Sequence, residues 1–179
     1  MSLERAKYII TDMIKSINLL YSNSHYYPSV MLQYVLIDTC GWLKHGKTSP
    51  NNAAFKQWVK DYVLLDSYSF LFNEDDLWSH RCGLLHMFSS HSRDFVSGRG
   101  RSVAYSFKSK GYPNLVEFLQ KKDLQGRAVP MDAEKFKDAV VAGSNTFLLE
   151  LSSSSSVDEN IQDRMNKLEQ FMLRSLKNV

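Results

Sequence analysis

The chain has 179 residues, of which 44% are hydrophobic and 23% are charged, a composition that suits one globular domain and excludes wholesale disorder. It contains no run of about 18 apolar residues, so the sequence predicts no membrane span. The net charge of +3 is too small to indicate nucleic-acid binding by itself.

The first 90 residues predict four helices. Apolar residues recur at helical spacing over 2–22, and residues 29–45 are apolar on nearly every side, which is typical of a buried central helix that ends at Gly46. A third helix is expected from Pro50 to about residue 65. A fourth follows Asn73, a suitable N-cap, and runs to about residue 90. Because the connections are short, neighbouring helices are expected to be antiparallel.

Residues 91–130 have a different character. Between positions 91 and 127 there are eight basic and three acidic side chains. Alternating apolar and polar residues over 102–108 predict a short strand, which Ala128 and Val129 are expected to join in a β-hairpin. The hairpin has the composition of an RNA-contacting element, although a solvated surface loop is the alternative. Its expected RNA-binding residues are Arg99, Arg101, Lys108 and Lys110.

Helical patterns return at Met131, with Asp132 as the expected cap. Five serines over 152–156 read as a linker before a last helix at about 157–177. The expected fold is therefore mostly α, an antiparallel helical bundle with a small β-hairpin insertion and C-terminal helices. We interpret residues 1–179 as a single domain, with core helices over 1–90, a basic insertion over 91–130 and C-terminal helices over 131–179.

The most informative motif lies in the fourth helix. Arg81 and His86 lie among large apolar side chains. Burying a charge or an imidazole there is costly unless the group has a hydrogen-bonding partner or a functional role. An arginine and a histidine separated by four residues resemble the R-x4-6-H signature of HEPN domains. These form an all-helical family that includes many metal-independent ribonucleases. The resemblance covers mainly residues 1–90.

The resemblance implies a fold, an activity and partners. The fold is a HEPN-like bundle, and the activity is that of a metal-independent RNA endonuclease of toxin or defence type, with Arg81 and His86 as catalytic residues at a dimer groove. The implied partners are a second copy of the chain, RNA and a nucleotidyltransferase-type antitoxin. Family members commonly have a polar residue directly after the arginine. This chain has Cys82 there, and His80 on the other side of Arg81 is expected to support the site instead.

Helical geometry adds two expectations about this motif. Positions five apart differ by about 140° around a helix, so Arg81 and His86 do not share a face, and a shared phosphate site is easier to build from two copies of the helix. Asp38 interrupts the most apolar helix and is the expected ion-pair partner of Arg81, because a lone buried carboxylate is costly.

Two other functional interpretations remain open. The first is a non-catalytic HEPN-like module that binds nucleotide, RNA or a protein partner in the same groove, which the cysteine at position 82 favours. The second is a helical structural protein in which Arg81 and Asp38 form a buried pair.

The cysteines bear on metals and on location. Cys40 and Cys82 lie in apolar helical patterns and are expected to be buried free thiols in a reducing compartment, so we expect a cytoplasmic protein. Charged residues within the first twelve positions argue against a secretory leader there. Cys82 and His86 are four residues apart, but two ligands do not make a metal site, so no metal or cofactor is expected.

Overall fold

The computed structural model describes residues 2–46, 51–65, 68–87, 93–153 and 161–167. These residues are mostly helical, as expected, with one small sheet. The elements in chain order are α1 (Ser2–Ser22), α2 (Tyr26–His45), α3 (Asn51–Tyr62), α4 (Glu74–Met87), α5 (Arg93–Val96), β1 (Ser102–Ser106), a 3₁₀ turn (Ser109–Gly111), α6 (Tyr112–Lys121), β2 (Ala128–Asp132), α7 (Ala133–Ser153) and α8 (161–167).

The first two helices follow the sequence pattern closely. α1 occupies the predicted range, whereas α2 begins at Tyr26, three residues earlier than expected. Pro28 lies in the first turn of α2, where a backbone N–H has no helical partner in any case, so the proline does not delay the helix. α2 ends at His45, and Gly46 follows it as predicted, donating its N–H to the Trp42 carbonyl over 2.9 Å.

α2 is the central helix of the fold. It packs against α1, α3, α4 and α7 and is buried on nearly every side, which confirms the expectation from its sequence. One hydrophobic core extends from Ala6 of α1 to Met165 of α8. Of the helices in the described ranges, none combines the length and the apolar character needed to cross a membrane.

The start of α4 is held by a reciprocal cap. The Asn73 side chain accepts the Asp76 N–H over 2.9 Å, and the Asp76 carboxylate accepts the Asn73 N–H over 3.1 Å. This capping box satisfies backbone donors that the helix leaves unpaired, and it confirms the predicted cap. α4 is described as far as Met87, so its expected end near residue 90 lies outside the described residues.

The expected β-hairpin is wrong. β1 and β2 pair as predicted from their sequences, but they run parallel, with Ser102 opposite Ala128 and Ser106 opposite Asp132. Parallel strands cannot be joined by a tight turn and need a crossover connection, which is usually a helix. α6 is that connection, and it packs against both strands.

α6 is the longest element that the sequence interpretation missed. Pro113 lies at its start, where proline is favoured, and a salt bridge between Glu117 and Lys121 joins successive turns on its surface. Leu115 and Leu119 are four residues apart, and Leu119 is buried. These signals predict a helix, but the basic charge and the glycines around them favoured a loop.

The start of the predicted serine linker belongs to α7. Asp132 caps α7, because its side chain accepts the N–H groups of Glu134 and Lys135 at 3.1 and 3.2 Å, as expected. Ser152 and Ser153 continue α7 instead of forming a linker, and the Ser152 hydroxyl donates to the Leu148 carbonyl. Residues 154–160 lie outside the described part, as does most of the predicted last helix beyond 167.

Arg164 of α8 closes the carboxyl end of α2. Its side chain is buried, and its guanidinium donates to the Leu43 and Lys44 carbonyls over 2.7 and 3.0 Å. Carbonyls at a helix C-terminus lack helical partners and carry partial negative charge, so a buried arginine suits them. A segment 120 residues later in the chain is thereby tied to the central helix.

Close approaches between helices depend on glycine. A Cβ atom on Gly143 of α7 would lie 2.6 Å from the carbonyl oxygen of Tyr62 at the end of α3, and 2.8 Å from the Tyr62 Cβ. Gly41 of α2 faces the Ala54 carbonyl in a similar way, with its added Cβ at 3.0 Å. The backbones of α3 and α7 therefore pack at a distance that only glycine allows at position 143, whereas a Cβ at position 41 would require α3 to move by a few tenths of an ångström.

We expect Gly143→Ala to lower the free energy of unfolding by about 1–2 kcal/mol, because overpacking against Tyr62 outweighs the gain in helix propensity. Gly126→Ala is the matched control, since no heavy atom lies within 4 Å of the added Cβ, and it should change stability by less than about 0.5 kcal/mol. Urea denaturation of both variants measures the difference. Equal stability of Gly143→Ala and the native protein would contradict the close packing.

Candidate functional site

Arg81 and Asp38 form the ion pair predicted from the sequence. The Arg81 side chain of α4 donates to Asp38 of α2 from Nη2 over 2.6 Å and from Nε over 2.8 Å, both to the same carboxylate oxygen. The side chains are 19% and 26% exposed, respectively. The pair is therefore oriented by the protein and still reached by solvent, which a wholly buried pair is not.

The residues beside Arg81 restrict the chemistry of the site. Its guanidinium lies over the Trp78 ring at 5.3 Å, a cation–π contact that further restrains it. Burial raises the pKa of the adjacent Cys82 thiol, and the positive charge of Arg81 opposes that shift only in part. Cys82 is therefore a protonated thiol near neutral pH and not an activated nucleophile.

The structure gives only the backbone position of His86. This residue lies in the last turn of α4, and its side chain is outside the described part of the chain. The helix is regular from Glu74 to Met87, so the angular separation of about 140° between positions 81 and 86 holds. The composite site built from two copies of α4 stays a prediction.

His80 does not support Arg81 at the surface, so that expectation is corrected. Its ring is 5% exposed and packs between Tyr34 and Tyr105, with ring centroids 6.0 and 5.3 Å away. Neither ring nitrogen has a hydrogen-bond partner among the described residues. Burial lowers the pKa of His80 to about 4, so the ring is neutral near pH 7. His80 is buried because the helical period turns position 80 of α4 toward the core.

Arg101 has a structural use that the sequence interpretation did not anticipate. Its Nη2 lies 2.6 Å from the carboxylate of Asp76, which is 2% exposed, and its Nε contacts both oxygens of that carboxylate at 3.2 Å. The Arg101 backbone N–H also donates to Asp76 over 2.7 Å. Much of the hydrogen-bonding capacity of this guanidinium therefore serves to join β1 to the start of α4.

The four expected RNA-binding residues are divided between the two ends of β1. Arg99 is 68% exposed and pairs with Asp94 at 2.6 Å, before β1 begins. Lys108 and Lys110 are exposed but follow β1, which is five residues long and spans roughly 16 Å. The length of β1 therefore separates Arg99 and Arg101 from Lys108 and Lys110.

Comparison with protein-family models, with curated proteins and with solved structures found no match to this chain. Within the ranges that the structure describes, no three His, Cys, Asp or Glu side chains come together as metal ligands. The spacing of Arg81 and His86 and the geometry around Arg81 carry the functional argument.

We expect a double-mutant cycle on Asp38→Ala and Arg81→Ala to give a coupling energy of about 1–2 kcal/mol, because the pair is oriented and only partly solvated. The Asp94–Arg99 pair is the matched control. It should give at most about 0.5 kcal/mol, since most of Arg99 is in water. Chemical denaturation of the four variants in each cycle provides the values. Equal coupling in the two cycles would argue against an oriented site.

We expect His80 to make the protein less stable in acid. Its pKa is about 4 in the folded protein and about 6.5 when unfolded, so protons bind the unfolded chain first as the pH falls. The stabilisation from keeping His80 neutral is fully present above pH 6.5. Its loss should lower the free energy of unfolding by roughly 3 kcal/mol as the pH approaches 4.

The measurement is urea denaturation between pH 7 and pH 4. His80→Phe should lack this component of the pH dependence, whereas the control His25→Gln, at an exposed position, should retain it. An unchanged pH dependence in His80→Phe would contradict the lowered pKa.

Proposed function

We propose that this chain is a metal-independent RNA endonuclease of toxin or defence type that acts as a cytoplasmic homodimer. The observation that carries the proposal is the partly exposed guanidinium of Arg81, held on α4 by Asp38 at 2.6 Å. Arginine in a fixed orientation suits phosphate, because its planar fork can donate two parallel hydrogen bonds to phosphate oxygens.

Arg81 would stabilise the negative charge that develops on the phosphate oxygens in the transition state. A donor that is already oriented costs little reorganisation at the moment of reaction, so its contribution to catalysis is larger than that of a mobile surface arginine. The ion pair with Asp38 and the Trp78 ring provide this orientation. Asp38 is thus a positioning residue in this proposal and not a catalytic one.

His86 would transfer the proton. An ordinary imidazole has a pKa near 6.5, which suits it to act as a general base or a general acid near neutral pH. Because positions 81 and 86 face different directions on α4, we propose that Arg81 of one copy and His86 of another meet at one phosphate. This arrangement requires the dimer axis to pass close to α4.

The proposed reaction is an internal transfer at phosphorus. The 2′-hydroxyl of a ribose loses its proton to the base and attacks the adjacent phosphorus, while the 5′-oxygen of the next nucleotide leaves and takes up a proton. The products carry a 2′,3′-cyclic phosphate and a 5′-hydroxyl. DNA lacks the nucleophile and should not react.

One alternative function has specific support. The guanidinium of Arg81 already bonds to a carboxylate, and the adjacent Cys82 thiol is a poor hydrogen-bond donor. Both features weaken the stabilisation of a transition state at phosphorus and favour a non-catalytic module that binds nucleotide, RNA or protein. Such a module would bind RNA without cutting it.

The test is cleavage of RNA by the purified protein in the presence of EDTA. We expect cleavage with cyclic phosphate ends, no cleavage of DNA, and a loss of at least about 100-fold in rate for Arg81→Ala and for His86→Ala. Light scattering should show a dimer for all variants. RNA cleavage that needs a divalent metal, or that persists in His86→Ala, would refute the mechanism.

Matched controls separate catalysis from folding. Lys15→Ala and His25→Ala remove an exposed charge and an exposed imidazole elsewhere and should leave the cleavage rate unchanged. The double variant Asp38→Asn and Arg81→Gln replaces the ion pair by a neutral hydrogen-bonding pair. It should stay folded by circular dichroism and be inactive. Binding of RNA by the native protein without any cleavage would establish the non-catalytic alternative.

A further inference from the structure

The parallel register brings two Gly-Arg dipeptides side by side. Ser102 is opposite Ala128, and the Ser102 N–H donates to the Arg127 carbonyl over 2.9 Å. The residues that precede the two strands are therefore adjacent as well, Arg101 beside Arg127 and Gly100 beside Gly126. In the sequence these dipeptides are 26 positions apart, and only the crossover through α6 places them at the same edge of the sheet.

A surface pocket of about 440 Å³ lies at this edge. Its wall includes Gly100, Arg101, Gly126 and Arg127, together with apolar side chains from α5, of which Phe95 is the largest. The volume falls within the range of pockets that hold small-molecule ligands in proteins. The lining therefore combines arginines with apolar and aromatic side chains.

Both arginines have guanidinium N–H groups that can donate hydrogen bonds to a ligand. The Nη1 atom of Arg101 makes no hydrogen bond within the described residues, although Nε and Nη2 bond to Asp76 and to a backbone carbonyl. Arg127 is exposed, and its guanidinium has neither a hydrogen bond nor an ion pair in the described part of the chain. Asp76 balances the charge of Arg101, so the charge of Arg127 is left for a ligand.

We propose that this pocket binds the phosphate group of a mononucleotide. Both arginines line the pocket, and a guanidinium carries a planar set of N–H donors that matches the oxygens of a terminal phosphate. Phe95 lines the pocket and adds apolar surface against which a base can pack, and glycine at position 126, where an added Cβ would meet open space, lets the ligand approach the backbone. A free nucleotide and the 5′-phosphate end of an RNA share this chemistry.

The pocket is separate from the proposed catalytic residue. A Cβ on Gly100 would lie 2.6 Å from the Cβ of Ser79, so the pocket edge packs on the side of α4 that carries Ser79. Positions 79 and 81 are about 200° apart around a helix, which puts Arg81 on nearly the opposite face. Phosphate binding in this pocket therefore goes beyond the proposed function and does not require it.

The experiment is calorimetric titration of the full chain with adenosine 5′-monophosphate, adenosine and inorganic phosphate. We expect saturable binding of the monophosphate, weaker binding of phosphate alone, and none of adenosine. Arg127→Gln should weaken monophosphate binding at least tenfold, and Arg127→Lys should restore only part of it, because an ammonium lacks the planar fork.

Arg99→Gln is the matched control, since Arg99 is an exposed arginine of the neighbouring segment that does not line the pocket. It should leave monophosphate binding unchanged. Equal weakening by Arg99→Gln and Arg127→Gln, or the absence of saturable binding to the native protein, would overturn the proposal. Arg81→Ala should bind the monophosphate normally whether or not the ribonuclease proposal holds.

Two further titrations distinguish the sources of the phosphate. They use a short 2′-O-methyl oligoribonucleotide, which cannot be cleaved through its 2′-oxygen, with and without a 5′-phosphate. Tighter binding of the phosphorylated strand than of the monophosphate would identify an RNA end as the occupant. Binding of the monophosphate alone would identify a free nucleotide, and in both cases Arg127→Gln must weaken the interaction.

Discussion

The arrangement of the helices and the strands depends on the hydrogen bonds that the buried carboxylate of Asp76 accepts. It accepts the N–H of Asn73 at the start of α4, and the backbone and guanidinium N–H groups of Arg101 at the start of β1. A buried charge that loses its partner typically costs about 3–5 kcal/mol, so β1 cannot shift along α4 without a large penalty. Gly100 is thereby pressed against Ser79, where a side chain would not fit.

α4 presents different chemistry on each side because three successive residues point in three directions. Ser79 faces the segment before β1, His80 enters the core between Tyr34 and Tyr105, and Arg81 reaches Asp38 on α2. A rotation of about 100° per residue produces this division. One helix can therefore support the proposed catalytic residue on one face and the wall of the proposed phosphate pocket on the other.

Much of the helical fold could be predicted from the sequence, because its signals are local. Apolar periodicity located α1 and α2, and the caps at Asn73 and Asp132 depend on contacts within three residues. The Asp38–Arg81 pair was predictable for a different reason. Each charge interrupts an apolar helix, and burying two such charges is less costly when they form an ion pair. The parallel pairing of β1 and β2 was not predictable in this way, because alternation indicates a strand without indicating its direction.

The sequence by itself determined the core helices over the first 90 residues, where several helices begin, and that Arg81 needs an acidic partner, since these follow from short-range hydrogen bonding and from the cost of burying charge. Only the tertiary structure decided what the basic residues do. Arg101 is a tie to the buried Asp76, Arg99 pairs with Asp94, and Arg127 stands beside Arg101. The physical reason is that these roles depend on which distant segments become neighbours, and the crossover through α6 sets that by packing its apolar face on both strands.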